Sequence, residues 1–211
     1  MFHVKPESIS SETLAAVFPH RASDIVAYAD ALADVGVARG LIGPREIPRL
    51  WDRHILNCAV VAPVFRVGAT VADIGSGAGL PGLVIAIARP DLEVTLVEPL
   101  LRRTRFLAEL VDRLELSVEV VRARAEQLHG SRRFDYVTAR AVAPLERLVG
   151  WALPLCSAGG ELVALKGSSA GDELVAADQQ LRRYNAAAVK IEHYGAGVVT
   201  PLTTVVRIKS P

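Results

Sequence analysis

The stretch Asp73-Ile74-Gly75-Ser76-Gly77-Ala78-Gly79-Leu80-Pro81-Gly82 constrains this chain more than any other. It follows a short apolar run, Thr70-Val71-Ala72, and opens onto an apolar helical pattern over residues 83–88. Strand, glycine turn and helix in that order begin a nucleotide-binding βαβ unit. Glycines at 75, 77 and 79 permit positive φ and let a ligand lie against bare backbone. The helix start then presents N–H groups that have no intrahelical partner. Val94-Thr95-Leu96-Val97 ends in Glu98, about 20 residues after the loop, where a carboxylate can accept both hydroxyls of a ribose. Loop and acid together predict an adenosine-containing ligand.

The ligand can be narrowed. Gly77-Ala78-Gly79-Leu80-Pro81-Gly82 matches the dinucleotide string G-x-G-x-x-G, but the match starts well past the strand and puts a proline in the helix's first turn. The better frame is Asp73-x-Gly75-x-Gly77-x-Gly79, with an acid at the strand end. A carboxylate there suits a cationic amino-acid moiety and repels a pyrophosphate, which favours S-adenosylmethionine (SAM) over NAD. A NAD-dependent oxidoreductase would also need Tyr-x-x-x-Lys or a His-bearing substrate domain. Tyr184 is followed four residues on by Ala188, and His54 precedes the loop.

Of the 211 residues, 51% are hydrophobic and 22% charged, the balance of a globular chain. No run approaches the roughly 18 apolar residues of a membrane span. Residues 1–7 lack the apolar core of a signal peptide, so a cytoplasmic location is expected, with no membrane partner. The two cysteines, Cys58 and Cys156, are too few and too far apart for a zinc site or a disulfide framework. They are expected to be buried inert thiols, and no metal is expected. Net charge is +1, yet between residues 101 and 133 eight arginines face five acids. Arg102, Arg103, Arg105, Arg122, Arg124, Arg132 and Arg133 could form a basic edge for phosphates or merely a solvated face.

Residues 11–37 carry apolar positions at helical spacing broken at Pro19 and read as two helices, with Ser23-Asp24 able to cap the second. Residues 36–48 are a Gly/Pro-rich linker, and a further helix is expected over 47–61. Strands are predicted near 70–74, 93–97, 117–121, 134–138 and 160–165, with helices at 81–89, 100–114, 144–155 and 172–184. Residues 189–193 and 203–208 read as two final strands without a helix between them. The fold class is therefore α/β: a mostly parallel seven-stranded sheet with an antiparallel edge hairpin and an N-terminal helical extension. We expect residues 1–65 to form the extension, packed on a core of residues 66–211 that acts as a monomer.

Ligands of such sheets bind at the carboxyl ends of the strands. The residues there are Asp73 with its glycine loop, Glu98, then Arg124-Ala125-Glu126, Thr138-Ala139-Arg140 and Lys166-Gly167. Ala125 and Glu126 fit an adenine contact, although Glu126 equally suits an ordinary helix-starting carboxylate. After the fourth strand the chain reads Val137-Thr138-Ala139-Arg140-Ala141, without the Asn/Asp-Pro-Pro-aromatic motif that polarises an exocyclic amine. Cys156 is placed inside or behind the fourth helix, away from a strand end, so a cysteine nucleophile is not expected. What remains is a target with its own lone pair that needs only positioning. Guanine N7 is such an atom. Arg140 and Lys166 are the candidates for the catalytic face, where a cation would hold phosphate or the guanine O6.

The ten-residue glycine motif, with Arg53-His54-Ile55-Leu56 upstream, resembles the glucose-inhibited division protein B family. Its members are the RsmG methyltransferases of bacterial 16S ribosomal RNA. The resemblance continues through Arg102-Arg103-Thr104-Arg105-Phe106-Leu107, Arg124-Ala125-Glu126, Arg140-Ala141 and Leu165-Lys166-Gly167. It implies a Rossmann-like class I SAM-dependent methyltransferase acting on N7 of a guanine near position 527, within a 30S particle or an assembly intermediate. It further implies cofactor contacts from Gly75, Leu80, Ala125, Glu126 and Arg140, with Glu98 on the ribose. Asp73, Gly77 and Gly79 complete the expected cofactor set. Arg53, His54, Arg102, Arg103 and Arg105 are the expected RNA contacts. Where many members carry Asn-Leu-Thr, this chain reads Gly40-Leu41-Ile42-Gly43.

Overall fold

Alternating apolar runs and amphipathic segments assemble into a layered α/β structure, which a computed structural model describes for residues 9–211. The expectation drawn from residues 1–7 lies outside the described residues. The strands are β1 (Thr70–Ile74), β2 (Glu93–Val97), β3 (Val118–Val121), β4 (Phe134–Arg140), β5 (Cys156–Lys166), β6 (Ala188–Tyr194) and β7 (Thr203–Lys209). They form one sheet in the order β3-β2-β1-β4-β5-β7-β6. The first five pair in parallel, and β7 runs antiparallel to both its neighbours. The reason is connectivity. Parallel neighbours need a crossover long enough for a helix, whereas β6 and β7 are joined by a short link that permits only antiparallel pairing.

The helices are α1 (Ser11–Val17), α2 (Ala22–Ala31), α3 (Leu56–Ala59), α4 (Gly82–Ala88), α5 (Leu101–Arg113), α6 (Leu145–Ala152), α7 (Ala170–Ala176) and α8 (Asp178–Arg183). In α5 the buried residues Thr104, Phe106, Leu107 and Leu110 make one stripe, and arginines occupy the opposite face. Every residue of α4 is buried, because it is covered by the sheet on one side and by the N-terminal helices on the other. Phe18, Ile25, Tyr28, Leu32, Leu50 and Ile55 belong to the same apolar cluster as Val71, Leu83 and Leu96. Each such buried side chain contributes about 1.5–3 kcal/mol, so the helical segment and the sheet's near face share one core.

Several boundaries differ from the expected ones. The helix expected over 47–61 is a 3-10 turn (Pro44–Arg49), a π-helical turn (Leu50–Ile55) and then α3. Pro48 cannot donate to an α-helical ladder, which breaks the segment up. The helix expected over 172–184 divides into α7 and α8 at Ala177. At the start of α2 the cap position is Arg21, and Asp24 accepts from the Arg21 guanidinium at 2.5 Å where a Ser23-Asp24 cap was expected. Of its two expected places, inside or behind the fourth helix, Cys156 takes the second: it follows α6 and opens β5 at the strand's amino end. The extra residues before 160 are absorbed by a register shift against β4 between Phe134 and Tyr136.

Candidate functional site

Strand order reverses direction between β1 and β4, so the crevice at their carboxyl ends is where a ligand of this sheet lies. Three carboxyl-end features meet there: the glycine loop after β1, Glu98 after β2 and the connection after β4. Glu98 is buried, with 1% of its surface exposed. One of its oxygens accepts the Gly77 N–H at 3.0 Å and the other the Leu100 N–H at 2.9 Å. A carboxylate offers about four acceptor positions, so capacity remains for ribose hydroxyls. Gly75 and Gly77 adopt φ of +69° and +59°. A Cβ at Gly77 would meet nothing nearer than 3.8 Å, which leaves bare backbone open to a ligand. Buried acid and open glycine loop thus fit an adenosine cofactor.

Asp73 lies beneath the loop. It is fully buried; Oδ2 accepts the Gly82 N–H at 3.0 Å, and Oδ1 has no hydrogen-bond partner. The carboxylate therefore shapes the loop from below while leaving one anionic acceptor unmatched. Burial, the dominant cause, pushes its pKa up to about 7, against the opposing hydrogen bond from the Gly82 N–H; the nearby Ser76 hydroxyl donates to the Asp73 backbone carbonyl at 2.7 Å. The folded chain then holds a proton that the unfolded chain has lost between about pH 4 and pH 7. Asp73 accordingly lowers stability as pH rises through that window. Thermal melts of cofactor-free protein at pH 5 and pH 8 should show this slope in the wild type and its loss in Asp73→Asn. Identical pH slopes for the two proteins would show that Asp73 is ionised throughout.

After β3, Ala125 is buried and Glu126 exposed in a short 3-10 turn at the carboxyl end of the sheet. At the end of β4, Arg140 turns both terminal nitrogens toward the helical segment. Nη2 donates to the Arg53 carbonyl at 3.0 Å and meets His54 Nδ1 at 2.8 Å, while Nη1 lies 3.3 Å from Cys58 Sγ. At the end of β5, Lys166 donates to the Ala143 carbonyl at 2.8 Å and to Glu173 at 2.7 Å. Glu173 also accepts the Leu145 N–H at 2.8 Å. The lysine is thus committed to fastening the β4–α6 connection and is not a free cation. Glu173 and Tyr28, whose hydroxyl donates to the Ala78 carbonyl at 3.0 Å, were not foreseen. Neither has a motif; both are recognisable only once distant segments are brought together.

The same connection walls a cavity of about 650 Å³ lined by Arg53, Asn57, Arg140, Lys166 and Leu202 among others. Val142, also in its wall, lies so close to the loop that a Cβ on Gly75 would be 2.7 Å from one of its methyls. Glycine loop and cavity therefore share a partition one side chain thick. Glu173 is the acid in the cavity wall, and its oxygens already hold Lys166, Leu145 and Ser169.

The arginine-rich run does not form one edge. Arg132 is paired with Glu119, and Arg133 donates to the Cys156 carbonyl; both precede β4, at the end of the sheet away from the site. Arg103 lies 3.5 Å from Glu98 and so stands apart from the other arginines, beside the glycine loop's carboxylate. Arg102 and Arg105 stand exposed along α5, beside Arg39 and Leu101. Arg53 is exposed at the cavity, whereas the His54 side chain is only 14% exposed.

A profile of the family described as rRNA small subunit methyltransferase G matches residues 21–199. A protein of Thermobifida fusca named Ribosomal RNA small subunit methyltransferase G is 56% identical over 207 residues, covering 98% of this chain and 86% of its own. A Rhodococcus jostii protein of the same name is 50% identical, covering 98% of this chain and 95% of its own. Among solved structures, a SAM-dependent O-methyltransferase from Thermotoga maritima aligns with a TM-score of 0.58 at 12% identity, covering 78% of this chain and 69% of its own. A methyltransferase from Pyrococcus furiosus aligns with a TM-score of 0.57 at 15% identity, covering 74% and 82%. At such identities these two bear on the fold alone, a Rossmann-like methyltransferase sheet.

Proposed function

Because the chain belongs to the rRNA small subunit methyltransferase G family, we propose that it methylates N7 of a guanine in bacterial 16S ribosomal RNA, with SAM as donor. The observation that carries this reading is the thin partition between the glycine loop with Glu98 and a cavity whose acid is already tied to a lysine. SAM supplies a methyl group on a sulfonium, electrophilic enough to be taken by a neutral nitrogen lone pair. Guanine N7 carries no proton, so no general base is required, and the residues need only bind, orient and exclude water. Glu98 would hold the ribose, and the glycine loop would supply bare backbone to the cofactor. Val142, between loop and cavity, would stand between cofactor and target, and the Lys166–Glu173 pair keeps that wall in place. A cation at the cavity cannot stabilise positive charge arriving on N7; its service is to hold phosphate or O6.

Incubation with labelled SAM and either 30S particles or naked 16S RNA tests the reading. The expected product is 7-methylguanine near position 527, formed on the assembled particle. No label in RNA would overturn it.

Arg102 and Arg105, with Arg53 at the cavity, form the RNA-facing surface of this proposal. Shape recognition of a folded particle supplies specificity, with the target base out of its stack. Reversing charge at Arg103 would set a carboxylate against Glu98, so the clean variant is Arg102→Glu/Arg105→Glu. It should raise the apparent KM for RNA by about tenfold and steepen neither SAM binding nor folding. An unchanged KM at physiological salt would leave these arginines as a solvated face.

A further inference from the structure

His54 sits between two charged groups that approach it from different segments. Its Nε2 lies 2.7 Å from Glu46 Oε2, and its Nδ1 lies 2.8 Å from Arg140 Nη2. An arginine can only donate, so Nδ1 must be the unprotonated acceptor, and the ring's single proton resides on Nε2, directed at the Glu46 carboxylate. Both ring nitrogens are therefore engaged inside the protein.

We infer that His54 is a positioning residue and not an RNA contact: with Glu46 it fixes the Arg140 guanidinium at the wall of the target cavity. The inference rests on the methyl-transfer reading above. Arg140 is anchored on three sides, by the His54 ring, by the backbone carbonyls of Arg53 and His54, and by Cys58 Sγ. The carbonyls hold it to the helical segment. The His54 ring supplies a side-chain acceptor that sets the guanidinium's orientation in its plane. Glu46 in turn selects the tautomer, as a carboxylate behind a histidine does when it fixes which nitrogen stays basic. The charged and titratable groups around this ring are Glu46 from the 3-10 turn, Arg53 on its own segment, and Arg140 from β4 with Cys58 beside it. Burial lowers the His54 pKa, and Arg140 acts the same way against Glu46, so the neutral ring is the form held at pH 7. Protonating it would remove the acceptor and set two cations against each other.

Two near-isosteric replacements separate the ring's functions. Asn reproduces an acceptor near Nδ1, and Gln reproduces a donor near Nε2 while placing nothing at Nδ1. His54→Gln should lose roughly ten- to a hundredfold in kcat, the scale of a misplaced positioning group, with the KM for RNA within about twofold. His54→Asn should restore most of that loss, and the acid limb of the wild-type kcat profile should be absent from it. In cofactor-free protein, 15N spectra of labelled histidine should show the Nε2–H tautomer at pH 7. A raised KM for RNA with normal kcat in His54→Gln would establish an RNA contact and overturn the proposal. So would an Nδ1–H or protonated ring at pH 7, or equal losses in both variants. A wild-type enzyme that transfers no methyl group while its His54 shows the expected tautomer would sink the methyl-transfer reading and keep the anchorage of Arg140.

Discussion

Gly82→Ala should cost the protein about 3 kcal/mol of stability and at least tenfold in SAM affinity. The added Cβ would lie 2.4 Å from a Leu96 methyl, 2.6 Å from Asp73 Oδ2 and 2.7 Å from Asp73 Cβ. Leu96 is fully buried and cannot swing aside, and the Asp73 Cβ is fixed to the central strand. The start of α4 must therefore lift from β1. Overpacking of this kind costs about 1–3 kcal/mol. Lifting also breaks the Gly82–Asp73 hydrogen bond, stripping a buried carboxylate of its backbone partner. At this chain length 3 kcal/mol corresponds to a Tm lower by roughly 6–12 °C. Gly171→Ala is the control: nothing lies within 4 Å of its Cβ position in α7, and the change should be neutral or slightly stabilising. Melts and calorimetric SAM titrations of the two variants give the comparison. Equal melting temperatures would mean that the loop tolerates a lifted helix.

Glu98→Ala should weaken SAM binding by about a hundredfold or more. It removes acceptors for two ribose hydroxyls, and hydrogen bonds to a charged group are worth about 1.5–3 kcal/mol. It also releases the Gly77 N–H, leaving the loop tied at that edge only by the Gly75 and Ser76 N–H groups on the Val97 carbonyl. Glu98→Gln keeps the shape and one carbonyl acceptor, and should lie between Ala and wild type. A SAM analogue lacking the ribose hydroxyls makes the argument a cycle. It should bind wild type poorly, yet bind Glu98→Ala no worse than SAM does. Were the analogue to bind wild type as well as SAM itself, the ribose role of Glu98 would be wrong.

What could be read from the residues, and what could not, follows from range. The β1–loop–α4 unit and Glu98 were readable because glycine spacing, a strand-end acid and an apolar helix are local patterns within about 25 residues. The hairpin of β6 and β7 was readable from the missing helix between two apolar runs. Residues 44–59 were not, since prolines inside an apolar periodicity leave the type of helical turn to tertiary packing. Charge counting grouped Arg102 with Arg132, although they belong to opposite ends of the sheet; a count has no direction. Lys166 looked like a free cation because it ends a strand while its partner Glu173 stands on the helix that follows, and spacing does not show that α7 turns back onto the strand end. His54 looked like an RNA contact because its two partners lie eight residues before it and 86 residues after it, at the end of the fourth strand.

α2 and α3 pack on α4, with Phe18, Ile25, Tyr28 and Ile55 in the same core, and Tyr28 bonds to the loop itself at Ala78. A Rossmann-like sheet is commonly treated as a portable cassette to which substrate-selecting segments are appended. In this chain the cassette is not portable. Grafting residues 66–211 onto a foreign leader would bare the outer face of α4, unhook the loop at Ala78 and set Arg140 adrift from its carbonyl anchors. Exchanging the target-selecting part between relatives must therefore carry residues 18–59 along with the sheet, and the smallest interchangeable unit is nearly the entire described chain.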